Sequence, residues 1–214
     1  LMRKVYVWMT LALVVTALSA YYVATTPAAL YAIFSSKFMF FGLLIAEIVV
    51  VMAMTALINR MSFMVAALMM AAYSVLNGVT MSFIFVVYEM ASIATTFFVT
   101  AGTFAAMAIV GYTTKKDLTK MGGILLMALI GLIIASVVNW FLQSETMSYV
   151  VSGIGVLVFT GLTAYDSQKI KEMLIQCDTV NDGTQKLALL GSLTLYLDFV
   201  NLFLYLLRFM GNRK

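Results

Sequence analysis

The chain has 214 residues, 64 % of them hydrophobic and 10 % charged, with a mean hydropathy of +1.04. Soluble domains carry about 25 % charged residues, so the composition excludes a water-soluble globular domain and defines an integral membrane protein. The net charge of +4 needs no nucleic acid, because basic cytoplasmic loops account for it. The absence of histidine removes the usual metal ligand and near-neutral proton switch, and the single Cys177 excludes an internal disulfide.

Seven apolar segments, at roughly 5–24, 38–58, 62–87, 91–112, 121–142, 148–168 and 187–210, read as transmembrane helices of one domain spanning 1–214. Each meets the requirement of about 20 apolar residues for a bilayer crossing. Arg3-Lys4 before the first run resembles the start of a signal peptide, but the run is too long and six further spans follow, so it is read as the first helix. Thr25-Thr26-Pro27 ends that helix, since proline lacks a donor and restricts the residue before it. Asn59-Arg60 closes the second span, and Tyr88-Glu89 turns the third into the fourth. The basic stretch TTKKDLTK (113–120) follows the fourth, and a short turn at 143–146 joins the fifth to the sixth. The longest connection is 169–186.

Small residues mark helix contacts, because close backbone approach drives association in lipid. The fourth span carries Ala101, Gly102, Ala105, Ala106 and Ala108; the sixth carries Ser152, Gly153, Gly155, Gly161 and Ala164. Two groups of three helices plus a seventh suit an internally repeated membrane fold. The 17 methionines read as flexible filling of irregular packing. With the N-terminus inside, the inner loops hold Arg3, Lys4, Arg60, Lys115, Lys116, Lys120, Lys169, Lys171 and Lys186, against Lys37, Arg208, Arg213 and Lys214 outside. This asymmetry predicts a cytoplasmic N-terminus and, with seven spans, an external C-terminus.

The seventh span organises the functional reading. Asp198 sits in its middle, and an aspartate there costs about 2.5–3.5 kcal/mol on insertion scales. Gly191, Thr194, Asp198, Asn201, Tyr205 and Arg208 recur at steps of three and four, which gathers them on one face of a helix. In lipid such a polar seam is expected to face protein or a wet cavity. The competing reading makes Asp198 a structural hydrogen-bonder that locks helix packing. Two further acids lie within spans: Glu47, amid the aliphatic run LLIAEIVVV, and Asp166, in the last turns of the sixth span.

Asp166 and Asp198 can approach if the inner face is dished or the seventh helix starts late; the sequence does not force the contact. Two carboxylates in one low-dielectric site cannot both ionise cheaply, so such a pair holds a proton and titrates as a unit. It is then the natural proton sensor of a chain without histidine. Arg60 is the cation placed to pair with whichever carboxylate is ionised, or else a positive-inside anchor. Carboxylate oxygens also suit calcium, so a weakly held divalent cation passing Asp198, Asn201, Asp166 and Glu47, with Thr194 on the same seam, is chemically reasonable. Such seams serve protons and monovalent cations too.

Asp178 to Gly183 imitates the start of an EF-hand loop, yet Val180 and Leu189 stand where ligands belong, so it reads as a polar turn. No phosphate-binding loop, metal-hydrolase motif or nucleophile elbow is present, and no enzyme is expected.

Two motifs resemble the signatures of a known family. AYDSQKI at 164–170 and LTLYLDFVNLFLYLLR at 193–208 are similar to those of the Bax inhibitor family, the transmembrane Bax inhibitor motif proteins, in its compact bacterial form. The resemblance covers essentially the whole chain, including the region of Glu47 and Arg60. It implies six helices around a central seventh, and a pH-sensitive calcium leak with no tightly bound cofactor. It further implies that Asp166 and Asp198 form the pH sensor, that Arg60 is a latch and that Glu47 lies on the ion route. The expected location is a bacterial cell membrane. A polar N-terminal arm common in the family is absent or trimmed ahead of Leu1-Met2-Arg3. The alternatives are a membrane regulator that binds another membrane protein, such as a protease or cell-death factor, and a proton-coupled cation exchanger.

Overall fold

The computed structural model describes all residues from 1 to 214, and every regular element in it is helical. In chain order the helices are α1 (Met2–Ala24), α2 (Pro27–Phe34), α3 (Lys37–Leu57), α4 (Phe63–Met81), α5 (Ile84–Val87), α6 (Met90–Thr113), α7 (Thr119–Leu142), α8 (Glu145–Ile175) and α9 (Asp182–Met210). Counting α4 and α5 as one interrupted span, seven are long and apolar enough to cross a membrane, as the hydropathy pattern predicts.

The helix boundaries follow local chemistry. Pro27 opens α2, where its missing N–H costs nothing and its fixed φ suits the first turn. Ser36 and Ser62 cap α3 and α4 by accepting from the N–H groups of Met39 and Val65 at 3.4 and 3.3 Å. Asn181 and Thr184 cap α9 reciprocally: the Thr184 N–H donates to Asn181 Oδ1 at 3.0 Å and the Asn181 N–H to Thr184 Oγ1 at 2.9 Å. The segment that imitates an EF-hand is therefore a polar turn and helix start.

The structure corrects the boundaries of the last two spans. The stretch 169–186, expected to be a long connection, is mostly helix: α8 runs on to Ile175 and α9 begins at Asp182. Hydropathy falls where Lys169, Lys171 and Glu172 enter, but lysine, glutamate, methionine and leucine are good helix formers, so the helix outlasts its apolar run. Asp166 is consequently not at a helix end. It has nine residues of α8 beyond it, about 14 Å at 1.5 Å per residue.

The chain packs as two compact units, one of residues 1–88, 174–196 and 214, the other of 89–173 and 197–213. The first holds the spans α1, α3 and α4, the second α6, α7 and α8, and α9 contributes to both. In the first unit α1 lies tight against α4: a Cβ at Gly78 would collide with the Thr16 carbonyl. Ser192 Oγ on α9 donates to the Val5 carbonyl of α1 at 2.9 Å. In the second unit α6 meets α8 where a Cβ at Gly111 would strike the Ala164 carbonyl, and Ser167 Oγ donates to the Ala108 carbonyl at 3.0 Å. Phe199 on α9 meets Phe97 and Phe104 of α6 edge-on, at 5.8 and 5.4 Å between ring centroids.

Burial ranks the helices. In its most apolar window α9 is 67 % buried, against 6 % for α3 and 11 % for α7. The last helix is the most enclosed of the seven.

Candidate functional site

α8 and α9 bring the two predicted aspartates together. Asp198 is 5 % exposed and Asp166 half-buried, and their carboxyl groups approach closely enough to interact directly. A carboxylate cannot donate, so a hydrogen bond between the two requires a proton held between them. No N–H or O–H group of the chain reaches Oδ2 of Asp198. The nearby positive charge is Lys169, one turn along α8, which acts on Asp166 electrostatically and lies 5.9 Å over the Tyr165 ring. The extension of α8 carries this contact, since it sets Asp166 well inside the helix instead of at its mouth.

Gln168 was not singled out from sequence, although it stands in the same motif. It is 6 % exposed and ties down the loop that follows α6. Its Nε2 donates to the Lys116 carbonyl at 2.7 Å, and its Oε1 accepts the Leu118 N–H at 2.9 Å. Lys171 closes the same end of α8 by donating to the Tyr112 carbonyl at 2.6 Å. In that loop Asp117 accepts both the N–H and the hydroxyl of Thr119, at 3.0 and 2.5 Å, and these bonds hold its carboxyl below the usual carboxylate range.

The polar seam of α9 is only partly enclosed. Gly191 and Asp198 are buried, Asn201 and Tyr205 half-buried, and Thr194 and Arg208 exposed. Thr194 tolerates an open position because its hydroxyl donates to the Leu190 carbonyl of its own helix at 3.1 Å. Asn201 likewise donates its amide to the Leu197 carbonyl at 2.8 Å. Arg60 is exposed in the turn after α3 and makes no ion pair.

Glu47 belongs to a network within the first unit. Thr80 on α4 donates its hydroxyl to Glu47 Oε1 at 2.6 Å. The same hydroxyl lies 3.0 Å from the Asn77 carbonyl, so it can support either protonation state of Glu47. With the acid ionised Thr80 donates to it; with the acid protonated Thr80 accepts and turns its own proton to the backbone. One turn away, Asn77 Nδ2 donates to the Tyr196 hydroxyl at 2.8 Å, which sits 2.5 Å from Thr16 Oγ1. Thr16 spends its single proton on the Ser74 carbonyl at 2.9 Å, so Tyr196 must donate to Thr16. The chain of donors therefore runs Asn77, Tyr196, Thr16 and ends on the backbone carbonyl of Ser74. Sequence reasoning missed this network. Its signal was the stripe Tyr73, Ser74, Asn77 and Thr80 at helical spacing in the third span.

No three His, Cys, Asp or Glu side chains converge as a metal site. The aspartate pair offers two carboxylates, while calcium takes about 6–8 oxygen ligands.

Comparison with known proteins agrees with the architecture. Residues 1–214 match the family described as inhibitor of apoptosis-promoting Bax1. The chain is 50 % identical over 214 residues to the inner membrane protein YbhL of Escherichia coli strain K12, covering all of this chain and 92 % of the relative. It is 44 % identical over 215 residues to a protein of Borreliella burgdorferi, at 92 % of that relative. It is 42 % identical over 215 residues to RP147 of Rickettsia prowazekii, at 89 % of that relative.

Proposed function

The chain belongs to the Bax inhibitor family, and on that footing we propose that it is a pH-sensitive cation leak, with calcium as the ion carried and Asp166 and Asp198 as its proton sensor. The observation that supports this reading is the close approach of the carboxyl groups of two acids of membrane-spanning helices, one of them nearly inaccessible. Two carboxyl groups can hydrogen-bond each other only while they share a proton. When the proton leaves, two like charges share a low-dielectric site, and they must separate or take up a cation. Either response changes what the site does to a passing ion, so proton occupancy and ion movement are coupled. Glu47, with Thr80 able to serve both its states, is the further acid on the route; Asn201 and Thr194 border it on α9. Arg60 is the latch that an ionised acid would recruit. The membrane is the inner membrane, by the name of the Escherichia coli relative, with the N-terminus on the cytoplasmic side.

The test is calcium flux into liposomes containing the purified chain, followed from mildly acidic to mildly alkaline pH. The expected result is a pH-dependent flux whose dependence flattens in both Asp166→Asn and Asp198→Asn. A chain that moves no calcium at any pH overturns the leak. Flux with an unchanged pH profile in both variants removes the sensor role. A second reading, a regulator that binds another membrane protein, takes its support from the family's description. It predicts no flux, and partner capture that survives Asp198→Asn.

A further inference from the structure

A polar cleft of about 460 Å³ opens in the second unit where α7 ends, α8 begins and α9 ends, away from the aspartate pair. Its walls include Asn139, Ser144, Glu145, Tyr149, Arg208 and Arg213. We infer that this cleft is a binding site for a phosphate ester, either the headgroup of a membrane phospholipid or a soluble phosphate.

The chemistry of the walls carries the inference. Two guanidinium groups face one carboxylate, so the cleft favours an anion, and arginine is the side chain best matched to phosphate geometry. Two of its neutral groups have an acceptor already engaged and donors to spare. Asn139 Oδ1 already accepts the Ser144 N–H at 3.1 Å, and Ser144 Oγ accepts the Met147 N–H at 3.2 Å. That leaves the Asn139 amide N–H groups and the Ser144 O–H to donate. A ligand rich in acceptors and carrying negative charge answers this set. The volume lies within the roughly 300–1,000 Å³ of small-molecule sites, which leaves room beside the phosphate for the group it is esterified to.

The cleft is also rigid. Only Gln143 and Ser144 separate α7 from α8, and Gln143 holds a left-handed conformation, φ 52°, with its N–H on the Asn139 carbonyl at 2.7 Å. Arg208 lies 5.8 Å over the Tyr205 ring, and Tyr149 stacks on Phe209 at 4.5 Å. Exposed Trp140, Phe141 and Leu142 fill the last turn of α7, between the lining residues Asn139 and Gln143. Aromatic side chains at helix ends mark the headgroup level of a bilayer, so a phospholipid could seat its phosphate on the arginines with its chains along α7.

The full chain with Trp8→Phe keeps Trp140 as its sole tryptophan, and its fluorescence in a phosphate-free maltoside detergent reports occupancy. The probes are a short-chain phosphatidylglycerol, glycerol phosphate, and a short-chain diacylglycerol that lacks phosphate. Saturable binding of phosphatidylglycerol alone supports the site and assigns it to lipid; equal saturation by glycerol phosphate supports it and assigns a soluble ligand. Arg208→Gln should weaken binding by about tenfold or more, the effect of losing one charge-assisted bond. Glu145→Gln should tighten it, and both substitutions lie at exposed positions that leave the fold intact. No saturable response to either phosphate compound, diacylglycerol binding as well as the phospholipid, or unchanged affinity in both variants overturns the proposal.

Discussion

Tyr196 shows how much a single polar contact is worth inside a membrane protein. It is fully buried, accepts from Asn77 and donates to Thr16. Tyr196→Phe keeps the ring and strands the Asn77 amide, at about 1–3 kcal/mol for a buried unsatisfied donor. Denaturation in detergent should show that loss, and adding Asn77→Leu should recover part of it by removing the stranded group. Asp117 gives a pH-dependent counterpart outside the spans. Its carboxyl is held below the usual range by the two Thr119 bonds, so the folded state favours the ionised form. Its contribution is present in full above the ordinary carboxylate value and is lost as pH falls through the depressed folded value. Asp117→Ala should therefore lower the melting temperature at neutral pH, and the gap from the parent should close in acid. A gap that persists at low pH would assign the effect to packing instead.

At the scale of elements, the contacts are set by backbone approach. α1 meets α4 at Gly78 and α6 meets α8 at Gly111, and in both places an added methyl would run into a carbonyl oxygen of the facing helix. Backbone cannot yield as a flexible side chain can. Gly111→Ala and Gly78→Ala should each destabilise by about 1–3 kcal/mol, the usual cost of overpacking. Gly102, with open space where its Cβ would be, is the control: Gly102→Ala should be neutral or stabilising, since alanine is the better helix former. Thermal unfolding of the three variants in one detergent decides the matter. The Gly102 result bears on sequence reading, because spacing alone ranked it with the contact-forming small residues of the fourth span.

For the whole molecule, the exposed apolar surface is the outer face of a membrane protein. Ile130, Ile133, Ile134 and Val137 of α7 are more than half exposed, as are Ile45, Ile48 and Val49 of α3. In water such faces would aggregate; in a bilayer they need no cover. The seven spans and the bias of lysine and arginine together predict that the two termini lie on opposite sides. A C-terminal alkaline phosphatase fusion should be active, and a C-terminal fluorescent protein that matures only in the cytoplasm should stay dark. The reverse pattern would show that one apolar helix does not cross.

Composition and hydropathy alone determined the membrane location, the seven spans and the acids within them, because a bilayer demands long apolar helices and makes every interior charge conspicuous. The motif around Asp166 and Asp198 was legible for the same reason. Only the tertiary structure decided that the two carboxyls meet, because that depends on which faces of α8 and α9 pack against each other, and hydropathy along one helix does not record its neighbour. It also decided which seam residues are enclosed, since Thr194 answers its own hydroxyl along the helix while the Glu47–Thr80 bond and the Asn77–Tyr196–Thr16 chain need partners from other helices. A single chain of letters displays a polar group but not the neighbour that satisfies it, and in this protein those neighbours lie 33 to 180 residues away.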